Sequence, residues 1–181
     1  MAKVKNDDIK IFLPLIRQKF NYTCGVAVLQ SILVYYNLYF DLQQTLIKQL
    51  NADTITGTEP KNIIKFARKQ SLKVKEFNDM TLDQLKAELD KKHPVICLIQ
   101  AWGEPTEYNK GYSGHYVIAV GYNDKHFYFV DPALEGIMGQ MTYKQLESRW
   151  FFSDGQTSLN HYGISIWKPR FHYCHRAVEI S

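Results

Sequence analysis

Gln18-Lys-Phe-Asn-Tyr-Thr-Cys24-Gly25-Val-Ala-Val-Leu-Gln30-Ser-Ile-Leu-Val-Tyr-Tyr36 is the stretch on which the fold turns. Between Val26 and Tyr36 only Gln30 and Ser31 are polar. A run that long, apolar on every side, is too long for a typical buried strand and predicts a central helix. Thr23 stands where its hydroxyl would cap that helix, which puts Cys24 in the first turn, among unpaired N–H groups. A thiolate there feels the positive end of the helix dipole, so the thiol should titrate below its free value of about 8.5, further with an imidazolium beside it. Position alone does not distinguish such a cysteine from a small buried hydrophobe. The rest of the chain has to supply its partners.

The 181 residues fit one domain, 1–181, that buries about two-thirds of its unfolded surface without cross-links. Cys24, Cys97 and Cys174 are an odd, widely spaced set, and Cys97 lies inside Pro94-Val-Ile-Cys-Leu-Ile, which reads as core. A reducing, cytoplasmic location is expected, although export without a leader or delivery as an effector would leave the same signature. The N-terminus is polar, and the apolar stretch Ile11 to Ile16 is short and broken by Pro14, fitting neither a signal peptide nor a membrane span. The formal charge of +4 arises from 22 basic residues scattered among 18 acidic ones, which argues against a nucleic-acid partner. Aromatics make up 14%, with 12 tyrosines, as suits a sheet-rich chain with a peptide-binding groove.

Helical signals come first. Asp41 to Leu50 reads as an amphipathic helix capped by Asp41, Pro60 to Gln70 as one with proline in its first turn and Ile63, Ile64 and Ala67 on one face, and Leu82 to Lys91 as one capped by Thr81. The period then changes. Pro94 to Gln100, His115 to Tyr122, Lys125 to Val130 and Tyr162 to Trp167 are β-branched or aromatic runs bounded by turn signals, with Asn123-Asp124 joining the middle two as a hairpin. Thr142 to Trp150 reads as one more helix. The expected class is α+β, a helical part carrying Cys24 packed on a mostly antiparallel sheet, with a cleft between them.

A cysteine nucleophile needs a base, and the base needs a group that fixes its tautomer. His115 begins a strand directly after the turn Gly111-Tyr-Ser-Gly114, a setting that His93, His126, His161, His172 and His175 lack. Asp131 ends the next strand, where a hairpin would bring its carboxylate to the imidazole. Gln18 offers an amide that, with the Cys24 backbone N–H, would donate to an oxyanion. No two cysteines have Cys-x-x-Cys spacing, and His172-Tyr-Cys174-His175 is an isolated cluster, so neither a metal nor a cofactor is expected. The loop Trp102 to Gly114, with Trp102, Glu104, Glu107, Tyr108 and Tyr112, is a candidate substrate wall.

Gln18, Tyr22-Thr-Cys24-Gly25-Val-Ala-Val-Leu, Gly114-His115-Tyr-Val-Ile-Ala-Val-Gly121 and Phe129-Val-Asp131-Pro132 together resemble the motifs of the papain-like bacteriocin-processing, or double-glycine, peptidases. The resemblance covers roughly residues 12–150, including Gly57-Thr58, and leaves the strand and tail of 153–181 outside it. It implies a papain-like fold with Cys24 as nucleophile, His115 as base, Asp131 as orienting group and Gln18 as oxyanion donor, acting on a peptide or protein substrate. Thr23 stands where many processing members carry an acidic residue, and no exporter accompanies the motifs. Peptide hydrolysis is the expected reaction. Acyl transfer, deamidation of a protein glutamine, and a non-catalytic peptide-binding groove use the same parts, and the oligomeric state is left open.

Overall fold

The apolar run after Thr23 folds as α1 (Cys24–Tyr35) in a computed structural model that describes residues 8–38, 42–101, 114–153 and 157–171. Every residue from Cys24 to Leu33 is buried. Ser31 is accommodated because its hydroxyl donates to Ala27 O four residues back, at 3.1 Å. The helix stops where Asn37 takes the left-handed conformation at φ 56°, with Leu38 N–H donating to Leu33 O and Asn37 N–H to Val34 O, a Schellman closure with asparagine in place of the usual glycine. The start departs from expectation. Thr23 holds the N-cap position without capping the helix; its hydroxyl turns back, accepting from Phe20 N–H at 3.0 Å and donating to Phe20 O at 2.9 Å. The side chain thus secures the turn before the helix, and the first-turn N–H groups have no side-chain cap.

The remaining elements follow the sequence signals, with some exceptions. α2 (Gln43–Gln49) is preceded by Leu42 at its N-cap, and Asp41, the expected cap, lies outside the described residues. α3 (Pro60–Lys69) carries Pro60 in its first turn and buries Ile63, Ile64 and Ala67. β1 (Lys73–Phe77) interrupts what reads in sequence as an unbroken helical block. α4 (Leu82–Asp90) opens with a capping box: Gln84 N–H donates to Thr81 Oγ1, and Thr81 N–H to Gln84 Oε1. The strands β2 (Val95–Gln100), β3 (Gly114–Tyr122), β4 (His126–Val130) and β5 (Gly139–Thr142) lead to α5 (Tyr143–Arg149), which has its own capping box from Thr142 and Gln145. β6 (Phe151–Ser153), β7 (Ser158–Asn160) and β8 (Gly163–Trp167) complete the described chain.

The main sheet has the order β1-β8-β2-β3-β4-β5, antiparallel at every step, and β6 and β7 form a separate two-stranded ribbon. α1 lies against β3. Val26, Leu29, Ile32 and Leu33 join Ile96, Ile118, Phe129 and Trp150 in one core cluster, and each such side chain contributes about 1.5–3 kcal/mol by leaving water. β3 carries a bulge: Ala119 pairs with Phe129 and Gly121 with Tyr128, leaving Val120 as the extra residue. The N-terminal segment crosses at that point. Lys10 and Ile11 N–H both donate to Val120 O, and a Cβ on Gly121 would stand 2.1 Å from Asp8 O, so only glycine fits. The β3–β4 turn is closed by Asn123, whose Oδ1 accepts from Lys125 and His126 N–H.

Candidate active site

Cys24 is the first residue of α1 and is 8% exposed. His115, the second residue of β3, is pinned from its other side by its pairing with Ile99 of β2. The β3–β4 register then determines what faces the ring. Ile118 pairs with Val130, so Asp131 stands one step beyond the ladder, alongside Val117. Alternation puts its side chain on the face of His115, two residues along. His115 Nε2 lies 2.6 Å from Asp131 Oδ1. That carboxylate is itself held, because Ala133 N–H donates to Oδ1 at 2.8 Å across the Asp-Pro turn.

With Nε2 engaged by Asp131, Nδ1 is the ring nitrogen left for Cys24, whose side chain hydrogen-bonds His115. Burial pulls the His115 pKa down. The Asp131 hydrogen bond, the Cys24 hydrogen bond and the charges of both outweigh it and lift the pKa from 6.5 to about 9. The ring therefore stays protonated at neutral pH. Cys97 is the contrast, a fully buried core thiol pushed far above its ordinary range by burial.

Gln18 is tied to the same corner. Its N–H donates to Pro132 O at 2.9 Å, joining the turn before Cys24 to the turn after Asp131. Arg17 and Glu135 form an ion pair at 2.7 Å across the same seam. The Gln18 side-chain amide donates to Phe20 O at 3.1 Å and Asn21 O at 3.3 Å. Its Oε1 is buried and has no hydrogen-bond partner among the described residues.

A third strand of contacts was not assigned a role from sequence. Asp53 Oδ1 accepts from Ile55 and Thr56 N–H, and Asp53 and Gly57 exchange both backbone hydrogen bonds, with Gly57 at φ 66°. This closed loop presents Thr58, which is 3% exposed, to the start of α1. A Cβ on Gly25 would lie 2.6 Å from Thr58 Cβ and 3.1 Å from Tyr116 Cδ2, while Tyr116 Oη donates to Thr58 O at 2.9 Å. Gly25 is thus glycine because the Thr58 loop is pressed onto the residue after the thiol. The signal in sequence was the glycine next to the cysteine together with Gly57 just ahead of Pro60.

The other histidines have separate partners. His93 bonds Glu88, and His161 bonds Met80 O and stacks on Trp150. His172, Cys174, His175 and the loop residues 102–113 lie outside the described residues. Among the described residues, no group of three or more His, Cys, Asp or Glu side chains could hold a metal, and no helix is long and apolar enough to cross a membrane.

Solved structures share this fold. A double glycine motif protease from an AMS/PCAT transporter, solved in complex with a leader peptide, is similar at 18% identity over 87% of this chain and 92% of that one, with a TM-score of 0.61. A putative C39-like peptidase from Bacillus anthracis is similar at 18% identity over 86% and 94%, with a TM-score of 0.67. The peptidase domain of Streptococcus ComA, a bi-functional ABC transporter involved in quorum sensing, is similar at 17% identity over 86% and 97%, with a TM-score of 0.61. No curated protein sequence matches the chain. The family described as Peptidase_C39 like matches residues 10–158. That span runs from ahead of Gln18, through Cys24, His115 and Asp131, to the ribbon after α5, and on it the chain belongs to the Peptidase_C39 like family.

Proposed function

We propose that the protein is a cysteine peptidase that cleaves a peptide bond with Cys24 as nucleophile, His115 as base and then acid, and Asp131 as the group that orients the ring. The observation that carries this reading is the single imidazole held by Asp131 at 2.6 Å on Nε2 and engaged by the Cys24 side chain. In this reading His115 takes the proton of the Cys24 thiol, and the resulting thiolate attacks the scissile carbonyl. His115 then protonates the leaving amine. Water deprotonated by His115 hydrolyses the thioester and restores the thiol.

The oxyanion would lie beside the first turn of α1, whose N–H groups have no side-chain cap, with the Cys24 N–H as one donor. Gln18 would be the second donor. Its amide first has to turn from the Phe20 and Asn21 carbonyls, and the unpaired buried Oε1, which costs about 1–3 kcal/mol, lowers the barrier to leaving that orientation.

The substrate class is read from the two segments that flank the site in sequence and from a relative of the same fold. Leu15 and Phe20 precede the nucleophile, Ile137 and Met138 follow Asp131, all four are exposed, and the Arg17–Glu135 pair and the Gln18–Pro132 bond hold the two segments together. Exposed apolar side chains on both segments suit an extended peptide with apolar side chains, and one solved structure of this fold holds a leader peptide. Leader-type peptides, with double-glycine sites first, are therefore the substrates to test.

The test is alkylation of each cysteine followed by mass spectrometry from about pH 5 to about pH 9, in wild type, His115→Ala and Cys24→Ala, with leader-peptide cleavage measured in parallel. Rapid acidic labelling of Cys24 that disappears with His115, and cleavage lost in both variants, are expected. Labelling that rises only at the free-thiol pKa and ignores His115 would refute the reading.

A further inference from the structure

At the far end of α1, about 18 Å from Cys24 at ~1.5 Å per residue, the chain forms a half-open cavity of about 630 Å³. Lys10, Lys91, Lys92, Lys168 and Arg170 line it, and among the described residues no Asp or Glu does. Its walls include Tyr35, Phe171 and Trp167, the last stacked on His93 with ring centroids 4.7 Å apart and planes 8° from parallel. Lys91 is engaged by Glu88 at 2.9 Å, and Lys168 Nζ donates to Tyr36 O at 3.0 Å. Lys92 and Arg170 have no carboxylate within ion-pair distance among the described residues.

Those two cations also occupy positions where the backbone favours glycine. Lys92 follows the C-cap of α4 at φ 63°, with Lys92 N–H on Leu89 O and His93 N–H on Glu88 O, the closure in which glycine is the usual residue. Arg170 has φ 58° after Pro169, with Phe171 N–H on Lys168 O at 3.2 Å, the place in a proline turn that normally takes glycine. Most of the other residues with positive φ, Asn37, Asn51, Asp79 and His161, are types that tolerate it. A long cationic side chain gains nothing from that conformation, yet the chain puts one at each of two such positions and both line one cavity.

We propose that this cavity binds a small polyanion with an aromatic part, the chemistry of a nucleoside phosphate. Its volume lies within the range of small-molecule sites, about 300–1,000 Å³. A recess of one charge sign with apolar walls concentrates anions, and guanidinium and ammonium groups hold phosphate oxygens while aromatic faces stack a base. An acidic peptide would use the cations without needing the ring-lined recess.

The experiment is isothermal titration of the full chain with ATP, adenosine and inorganic triphosphate, repeated on Lys92→Gly and Arg170→Gly. Both substitutions relieve a strained backbone, so the melting temperature holds or rises and a loss of binding cannot be put down to unfolding. Saturable binding of ATP is expected, at least about tenfold tighter than either fragment and weakened about tenfold by each substitution. Absence of saturation with ATP, triphosphate binding as tightly as ATP, or affinity unchanged in both variants would each overturn the assignment. The readout is binding, so it is independent of whether Cys24 turns over peptide.

Discussion

Replacing Asp131 with asparagine should narrow the pH range over which the Cys24–His115 pair is charged. Asparagine keeps the size of the side chain and an oxygen able to accept from His115 Nε2 and Ala133 N–H, and removes only the charge. The rise of the His115 pKa from 6.5 to about 9 is worth roughly 3 kcal/mol at ~1.4 kcal/mol per unit. Burial opposes that rise, and the Asp131 hydrogen bond leads the groups that produce it, ahead of Cys24. A hydrogen bond to a charged acceptor is about twice as strong as one to a neutral acceptor, so the asparagine should cost the charged His115 ring about 1–1.5 kcal/mol, or roughly five- to tenfold in its protonation equilibrium. The assay is the second-order rate of Cys24 alkylation against pH, with the His115 ring followed by NMR. Stability should move in the corresponding direction. A histidine whose folded pKa is raised contributes stability that is complete below about 6.5 and is lost as the pH rises through about 9. Wild type should therefore lose melting temperature relative to Asp131→Asn across that interval. Identical alkylation profiles and parallel stability curves in the two proteins would refute the reasoning.

Gly25→Ala puts a methyl group 2.6 Å from Thr58 Cβ; it should cost about 1–3 kcal/mol in a denaturant titration and slow Cys24 alkylation, and an unchanged midpoint with unchanged labelling would show that the Thr58 loop is not pressed on the site. Glu88 is buried and accepts from Ser165 Oγ at 2.7 Å, Lys91 Nζ and His93. Burial raises its pKa, and those bonds overcome it and hold the group at about 2. Its contribution is present above about 4.5 and is lost as the pH falls toward 2, so Glu88→Gln should be about 1–3 kcal/mol less stable at neutral pH and should lose that acid slope; coincident acid-unfolding curves would contradict this. Thr81→Ala should lower stability by about 1 kcal/mol through loss of the α4 capping box, measured by urea titration, and a loss below a few tenths would mean the cap carries little.

The parts of the fold that were legible in sequence are those with their own local signal. Thr81 and Thr142 announce α4 and α5 by capping boxes with Gln84 and Gln145, Pro60 marks α3, and the β-branched runs of β2, β3, β4 and β8 are long and unbroken. β1 was missed because Lys73-Val-Lys-Glu-Phe buries only Phe77 fully; its strand character comes from pairing with β8. β5, β6 and β7 have three or four residues each, too few to show a period. That Cys24, His115 and Asp131 come together was readable because a helix start, a strand mouth and a hairpin each have a sequence signature. Thr58 and Tyr116 were not, since their place depends on a loop arriving from elsewhere in the chain. Thr23 shows the limit of cap rules: the residue type was right for the position, and the hydroxyl found better partners in the preceding turn.

The site's three side chains differ in how they come together during folding. His115 and Asp131 belong to one hairpin, sixteen residues apart, and so can meet on the microsecond timescale on which hairpins close. Cys24 reaches them only when α1 docks on β3, a long-range step that pays a large loop-closure entropy before any packing rewards it. A refolding chain therefore has the His115 imidazole and the Asp131 carboxylate in place before the Cys24 thiol is engaged. Pulsed alkylation of Cys24 would time that docking event, making its thiol a built-in clock for a long-range assembly step of the domain.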